Sequence, residues 1–103
     1  MTILNTADAE NLIVERQVTV ANRMGLHGRP AAVIARMLSG MDAEISLRRT
    51  DGGAEAADCR SVLSLLVLAA SSGTALLLRG SGPDAGAAVS MVADYFDRKF
   101  DED

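Results

Sequence analysis

Asn22-Arg23-Met24-Gly25-Leu26-His27-Gly28-Arg29-Pro30-Ala31-Ala32 is the stretch at which the hydrophobic period of the chain changes. Before it, Ile13 to Val20 sets Val14, Val18 and Val20 on one alternating face, the pattern of a half-buried strand. After it, Ala31, Ile34, Ala35, Leu38 and Met41 recur at helical spacing, with Arg36 opposite them and Ser39-Gly40 as the stop. A strand that passes through a glycine-containing loop into a helix opens an α+β domain.

Further along, Ala43 to Arg49 alternates again, Asp51-Gly52-Gly53 signals a turn, and Ala54 to Ala57 is expected to return as a short partner strand. Asp58 to Ser61 offers helix-start residues before the apolar stretch Val62 to Ala70, which stops at Gly73. Thr74 to Gly80 reads as a compact strand. Ser81-Gly82-Pro83-Asp84 then opens a last helix with proline and an acid in its first turn, its buried stripe formed by Ala88, Met91, Val92, Tyr95 and Phe96. The order strand, helix, strand, strand, helix, strand, helix implies one antiparallel-leaning sheet covered on one side by helices.

The 103 residues make one domain, with a polar extension over 1–12, the folded part over 13–100 and a solvated acidic end over 101–103. Aromatics are 3% of the chain and hydrophobics 49%, so Ala, Leu, Val, Ile and Met build the core. A formal charge of −4 argues against a nucleic-acid binder, which carries a basic field, and points to protein partners. Cys59 is the single cysteine, which excludes an internal disulfide and offers no metal cluster; a reducing, cytoplasmic setting is expected. Met1 to Leu12 lacks the basic start and apolar run of an export signal, and Leu65 to Ala70 is too short to enter and span a membrane.

His27, the only histidine, sits where these patterns meet. Imidazole is a covalent nucleophile that can take a phosphoryl group, and it changes charge near neutral pH. A helix beginning at Gly28 aims unpaired amides at an anion beside His27, Gly28 lets the backbone approach it, and Arg29 adds a fork of donors. Pro30 has no N–H to leave unbonded in that first turn, although the residue before a proline is biased away from the helical region. The positive helix end disfavours a charged imidazolium. Asn22 either shapes the loop through an Asx turn or hydrogen-bonds around the site. Ser61 is simplest as a helix N-cap, and Cys59 as a buried or capping neighbour without reactive character.

The group Gly25-Leu26-His27-x-Arg29-Pro30-Ala31, the run Arg60-Ser61-Val62-Leu63, Gly73-Thr74 before the last strand and the element order resemble the HPr family, the histidine-containing phosphocarriers of the bacterial phosphotransferase system. The resemblance runs from about Ile13 to Phe100. It implies an open-faced β-sandwich, four antiparallel strands with three helices on one face. It also implies that His27 receives phosphate on Nδ1 from enzyme I, charged by phosphoenolpyruvate, and passes it to an A-component of a sugar permease or a regulator. Arg29 matches the phosphate-contacting arginine. Ser61 matches the regulatory serine of the HPr kinase/phosphorylase, and Val62, Leu63 and Leu66 match the apolar surface that meets enzyme I and the acceptors. Gly28, Cys59, Ser64 and Val67 depart from the commonest family residues. Such a protein is a monomeric relay without cofactor or metal, not an enzyme with small-molecule turnover of its own. The alternative within the same resemblance is a regulatory protein-binding module of the nitrogen-type branch, without sugar transport; a generic α+β ligand-binding domain would leave the His27 group unexplained.

Overall fold

The alternation of β2 (Ile13–Thr19) is satisfied against β5 (Ala75–Ser81): Val14 lies opposite Gly80 and Val18 opposite Leu76, all four buried on the face that the helices cover. The computed structural model describes residues 2–3, 13–53 and 55–102. After β1 (Thr2–Ile3) and β2 come α1 (Gly28–Met37), β3 (Glu44–Arg49), β4 (Ala57–Asp58), α2 (Val62–Val67), β5, α3 (Ala85–Asp97) and a 3-10 turn at Lys99–Asp101. The sheet order is β1-β2-β5-β3-β4 and every neighbouring pair is antiparallel. The expected open-faced sandwich is therefore the observed fold, with β2 to β5 as its four strands.

The core is aliphatic. Val14, Val18, Ile45, Leu47, Leu76 and Leu78 of the sheet meet Ile34 and Leu38, Leu65 and Leu68, and Val89, Val92 and Phe96 from the helical side. Burying each such side chain contributes roughly 1.5–3 kcal/mol. Gly80 lets α3 lie close to β5, because a Cβ there would stand 2.8 Å from both Ile45 Cδ1 and Val89 Cγ2. Arg16 falls between Val14 and Val18 on the same face, keeps partial exposure, and reaches Asp97 at the end of α3 at 3.6 Å.

Several expected boundaries shift. The partner strand is Ala57–Asp58 rather than 54–57, and Ala54 lies outside the described residues. Helix α2 stops at Val67, three residues before Ala70, because Arg49 Nη1 donates to the Leu68 and Ala69 carbonyls at 3.0 and 3.3 Å and Ala69 turns left-handed (φ 51°). Backbone that would otherwise need helical bonds is thereby satisfied in an irregular run. Pro83 and Asp84 precede α3 instead of forming its first turn; Asp84 is the N-cap, and its carboxylate accepts from the Asp42 amide at 2.7 Å. Met91, expected in the buried stripe, is 41% exposed, and Ala85, Val89 and Ala93 take its place in the core. Thr2–Ile3, read as part of the polar extension, pairs with Val14 and Glu15; residues 4–12 of that extension lie outside the described residues.

Candidate functional site

His27 is the N-cap of α1, in extended conformation (φ −100°, ψ −169°), and its carbonyl accepts the first helical bond from Ala31 N at 3.1 Å. The next residues, Gly28 and Arg29, are helical despite Pro30, and their amides find no acceptor among the described residues. The positive helix end thus opens beside the imidazole. The loop before it is tied down: Leu26 N donates to Ala70 O at 2.9 Å, and His27 N to Gly25 O at 3.0 Å. Gly25 is required there, having φ +76° and space for a Cβ only 2.8 Å from Ala70 O. The irregular tail of α2 is therefore the seat of the histidine loop.

The ring is half-buried, with 29% of its side-chain surface exposed, and its Nε2 lies 3.0 and 3.2 Å from the two carboxylate oxygens of Glu102. An ionised carboxylate only accepts, so Nε2 carries the proton and Nδ1 holds the free lone pair. Nδ1 has no hydrogen-bond partner among the described residues. Buried Asn22 donates its Nδ2 to Glu102 Oε1 at 2.7 Å and to Gly25 O at 2.8 Å. The reverse amide orientation would face Oδ1 toward two acceptors, so this one is dictated, although it leaves Oδ1 buried without a partner. The Nδ2 bonds resolve the two readings of Asn22 in favour of hydrogen-bonding around the site. Hydrogen bonds from His27 and then Asn22 hold the Glu102 carboxyl below its ordinary range, with His27 and Arg29 adding attraction against some desolvation. Arg29 is exposed, makes no hydrogen bond or ion pair among the described residues, and lies near enough for its charge to act on Glu102 and Tyr95.

A sequence model of the family described as "PTS HPr component phosphorylation site" matches residues 14–98. The chain belongs to the HPr family. It is similar to the phosphocarrier protein NPr of Shewanella violacea, 44% identical over 89 residues that make up 86% of this chain and 94% of that one. NPr of Escherichia coli is 34% identical over 92 residues, 89% of this chain and all of its own. Among solved structures, HPr-C-His from Thermoanaerobacter tengcongensis superposes with a TM-score of 0.78 at 26% identity, covering 87% of this chain and 98% of that one.

Of the positions singled out from the HPr resemblance around α2, only Val62 departs from the exposure expected of it. Ser61 is the N-cap of α2, accepting from Ser64 N at 3.1 Å through its Oγ. Leu63 is 73% exposed and Leu66 40%, whereas Val62 packs partly against the core; Val67, 67% exposed, joins the outer apolar set in its place. Cys59 is fully buried, its thiol pushed up to about 12 by desolvation and then by Asp58, which fits the inert reading. The reading of 101–103 as a solvated end is corrected at Glu102, which lies against His27; Asp103 lies outside the described residues. Phe100 is the available signal, since an aromatic two residues before Glu102 ties that segment to Tyr95 and Phe96 in the core. Among the described residues no group of three or more His, Cys, Asp and Glu could hold a metal, and no helix is long and apolar enough to cross a membrane.

Proposed function

We propose that His27 carries a phosphoryl group on Nδ1, taken from phospho-enzyme I and given to a histidine on an acceptor protein in the cytoplasm. The observation that carries this reading is the asymmetry of the ring: Nε2 is held by Glu102, while Nδ1 is unbonded at the open end of α1. In the transfer, the donor's P–N bond breaks as the Nδ1–P bond forms, and the donor nitrogen keeps the electron pair. His27 retains its Nε2 proton, so its ring is cationic until the group leaves. Gly28 leaves the approach open, with nothing within 4 Å of a Cβ built there. The first-turn amides and exposed Arg29, two residues after His27, would meet the incoming dianion. A phosphoimidazole suits relay, since a serine ester would return its phosphate too slowly.

The acceptors are read as regulators of the nitrogen-type branch, because the relative at 44% identity is an NPr, above an HPr at 37% and a further NPr at 34%. Docking would use exposed Leu63, Leu66 and Val67, beside a groove of about 460 Å³ between α2 and the segment 55–57. Phosphorylation of Ser61 would act as a switch by adding charge to that surface. Incubation with phosphoenolpyruvate and enzyme I should place acid-labile phosphate on His27 and none on the His27→Ala variant. Discharge to a nitrogen-type A-component but not to a sugar-permease A-component is expected; discharge to the sugar component alone would reverse the branch assignment.

A further inference from the structure

Three consecutive non-glycine residues, Lys99, Phe100 and Asp101, have φ of 55°, 56° and 59°, the left-handed region that side chains avoid. Such backbone persists only where its surroundings over-determine it, and an observed outlier of this kind calls for a reason at its own position. Phe100 is buried against Phe96 and Tyr95, with ring centroids 4.8 and 5.1 Å away, and Arg98 Nε donates to Asp101 Oδ1 at 2.8 Å. The turn brings Glu102 back across the surface to Asn22, eighty positions earlier, and to His27 Nε2.

We infer that Glu102, oriented by Asn22 and delivered by this left-handed turn, is a positioning residue for phosphoryl transfer: it fixes the proton on Nε2 and supplies the counter-charge to the phosphorylated ring. A neutral imidazole left to itself distributes its proton between both nitrogens, and the form protonated on Nδ1 has no lone pair there to attack phosphorus. Holding Nε2–H keeps every neutral ring in the attacking form. When Nδ1 bonds to phosphorus and Nε2 keeps its proton, the ring gains one positive charge, and the carboxylate already stands 3.0 Å away. Asn22 matters because its second hydrogen bond, to Gly25 O, references the carboxylate to the same loop that holds the histidine.

This inference rests on His27 being the carrier, and its first test does not need enzyme I. Nitrogen-15 NMR of the full chain, at a pH about two units above the ordinary imidazole value, should show His27 protonated on Nε2. Glu102→Gln, whose amide oxygen still accepts, should keep that form, and Glu102→Ala should show both forms. In enzyme I-dependent phosphorylation, Glu102→Ala should be slower on the order of 10-fold, with Glu102→Gln between it and the parent, by analogy with other groups that orient a reactive histidine. Circular dichroism of both variants checks that they fold. An unchanged proton distribution in folded Glu102→Ala would overturn the inference while leaving the carrier role intact. Parent protein left unmodified at His27 by enzyme I would overturn the carrier role, whatever the tautomer.

Discussion

At the scale of single residues, the charges around His27 oppose one another. The positive helix end suits an incoming anion, whereas the Glu102 carboxylate accepts the hydrogen bond of Nε2. The effect is readable on the acid. Its folded carboxyl binds a proton less tightly than in the unfolded chain, so the contact contributes to stability above the ordinary carboxylate range and loses that contribution as pH falls through the lowered folded value. Carbon-13 NMR should give Glu102 a midpoint below its reference of 4.5, returning toward it in Asn22→Ala, which loses the second-largest cause. A midpoint at the reference in the parent would mean that the contacts do not persist in solution. Two glycines on either side of His27 make an opposite pair. Gly25→Ala forces a Cβ to 2.8 Å from Ala70 O at positive φ and should cost about 1–3 kcal/mol. Gly28→Ala meets nothing, at a helical position, and should stabilise by about 0.4–1 kcal/mol. Urea denaturation of both variants reads the sign directly.

At the scale of elements, periodicity was informative wherever one face met the core and uninformative wherever backbone was satisfied by something distant. Val14 and Val18 marked β2, and Ala31, Ile34 and Leu38 marked α1, because residues spaced at the strand or helix period share a buried face while most of their sequence neighbours are less buried. The greasy run after Ser61 looked like one helix to Ala70; its end depends on Arg49, 19 positions before Leu68, which no local pattern contains. The same holds for the site. His27, Gly28 and Arg29 were legible as a continuous group, but Glu102 joins them only through the turn at Lys99–Asp101. That turn carries strain of roughly 1–2 kcal/mol per left-handed residue. Lys99 is exposed, so Lys99→Gly removes strain without emptying the core and should raise stability by about 0.5–1 kcal/mol. A lower urea midpoint for Lys99→Gly would show that the Lys99 side chain contributes more than its backbone costs.

At the scale of the whole molecule, segments eighty positions apart meet at the site: the loop after β2 and the residues after α3 share the Asn22–Glu102–His27 contacts. Helix α3 is the strut between them. Its start is tied to Asp42 through Asp84, its middle rests on β5 at Gly80, and its last residues lead into the left-handed turn. The approach at Gly80 is the tightest of these, since its missing Cβ is matched by Ile45 Cδ1 from β3 and Val89 Cγ2 from α3, both at 2.8 Å. Those atoms belong to buried side chains with little room to rotate, so Gly80→Ala must push the helix outward or force poor rotamers, costing roughly 1–3 kcal/mol. The loss should appear as a lower urea midpoint with unchanged slope, because the surface exposed on unfolding is nearly the same. A midpoint equal to the parent's would mean that α3 rides up on β5 without penalty. In that case the strut is looser than its packing indicates, and the placement of Glu102 depends on the turn and Asn22 alone.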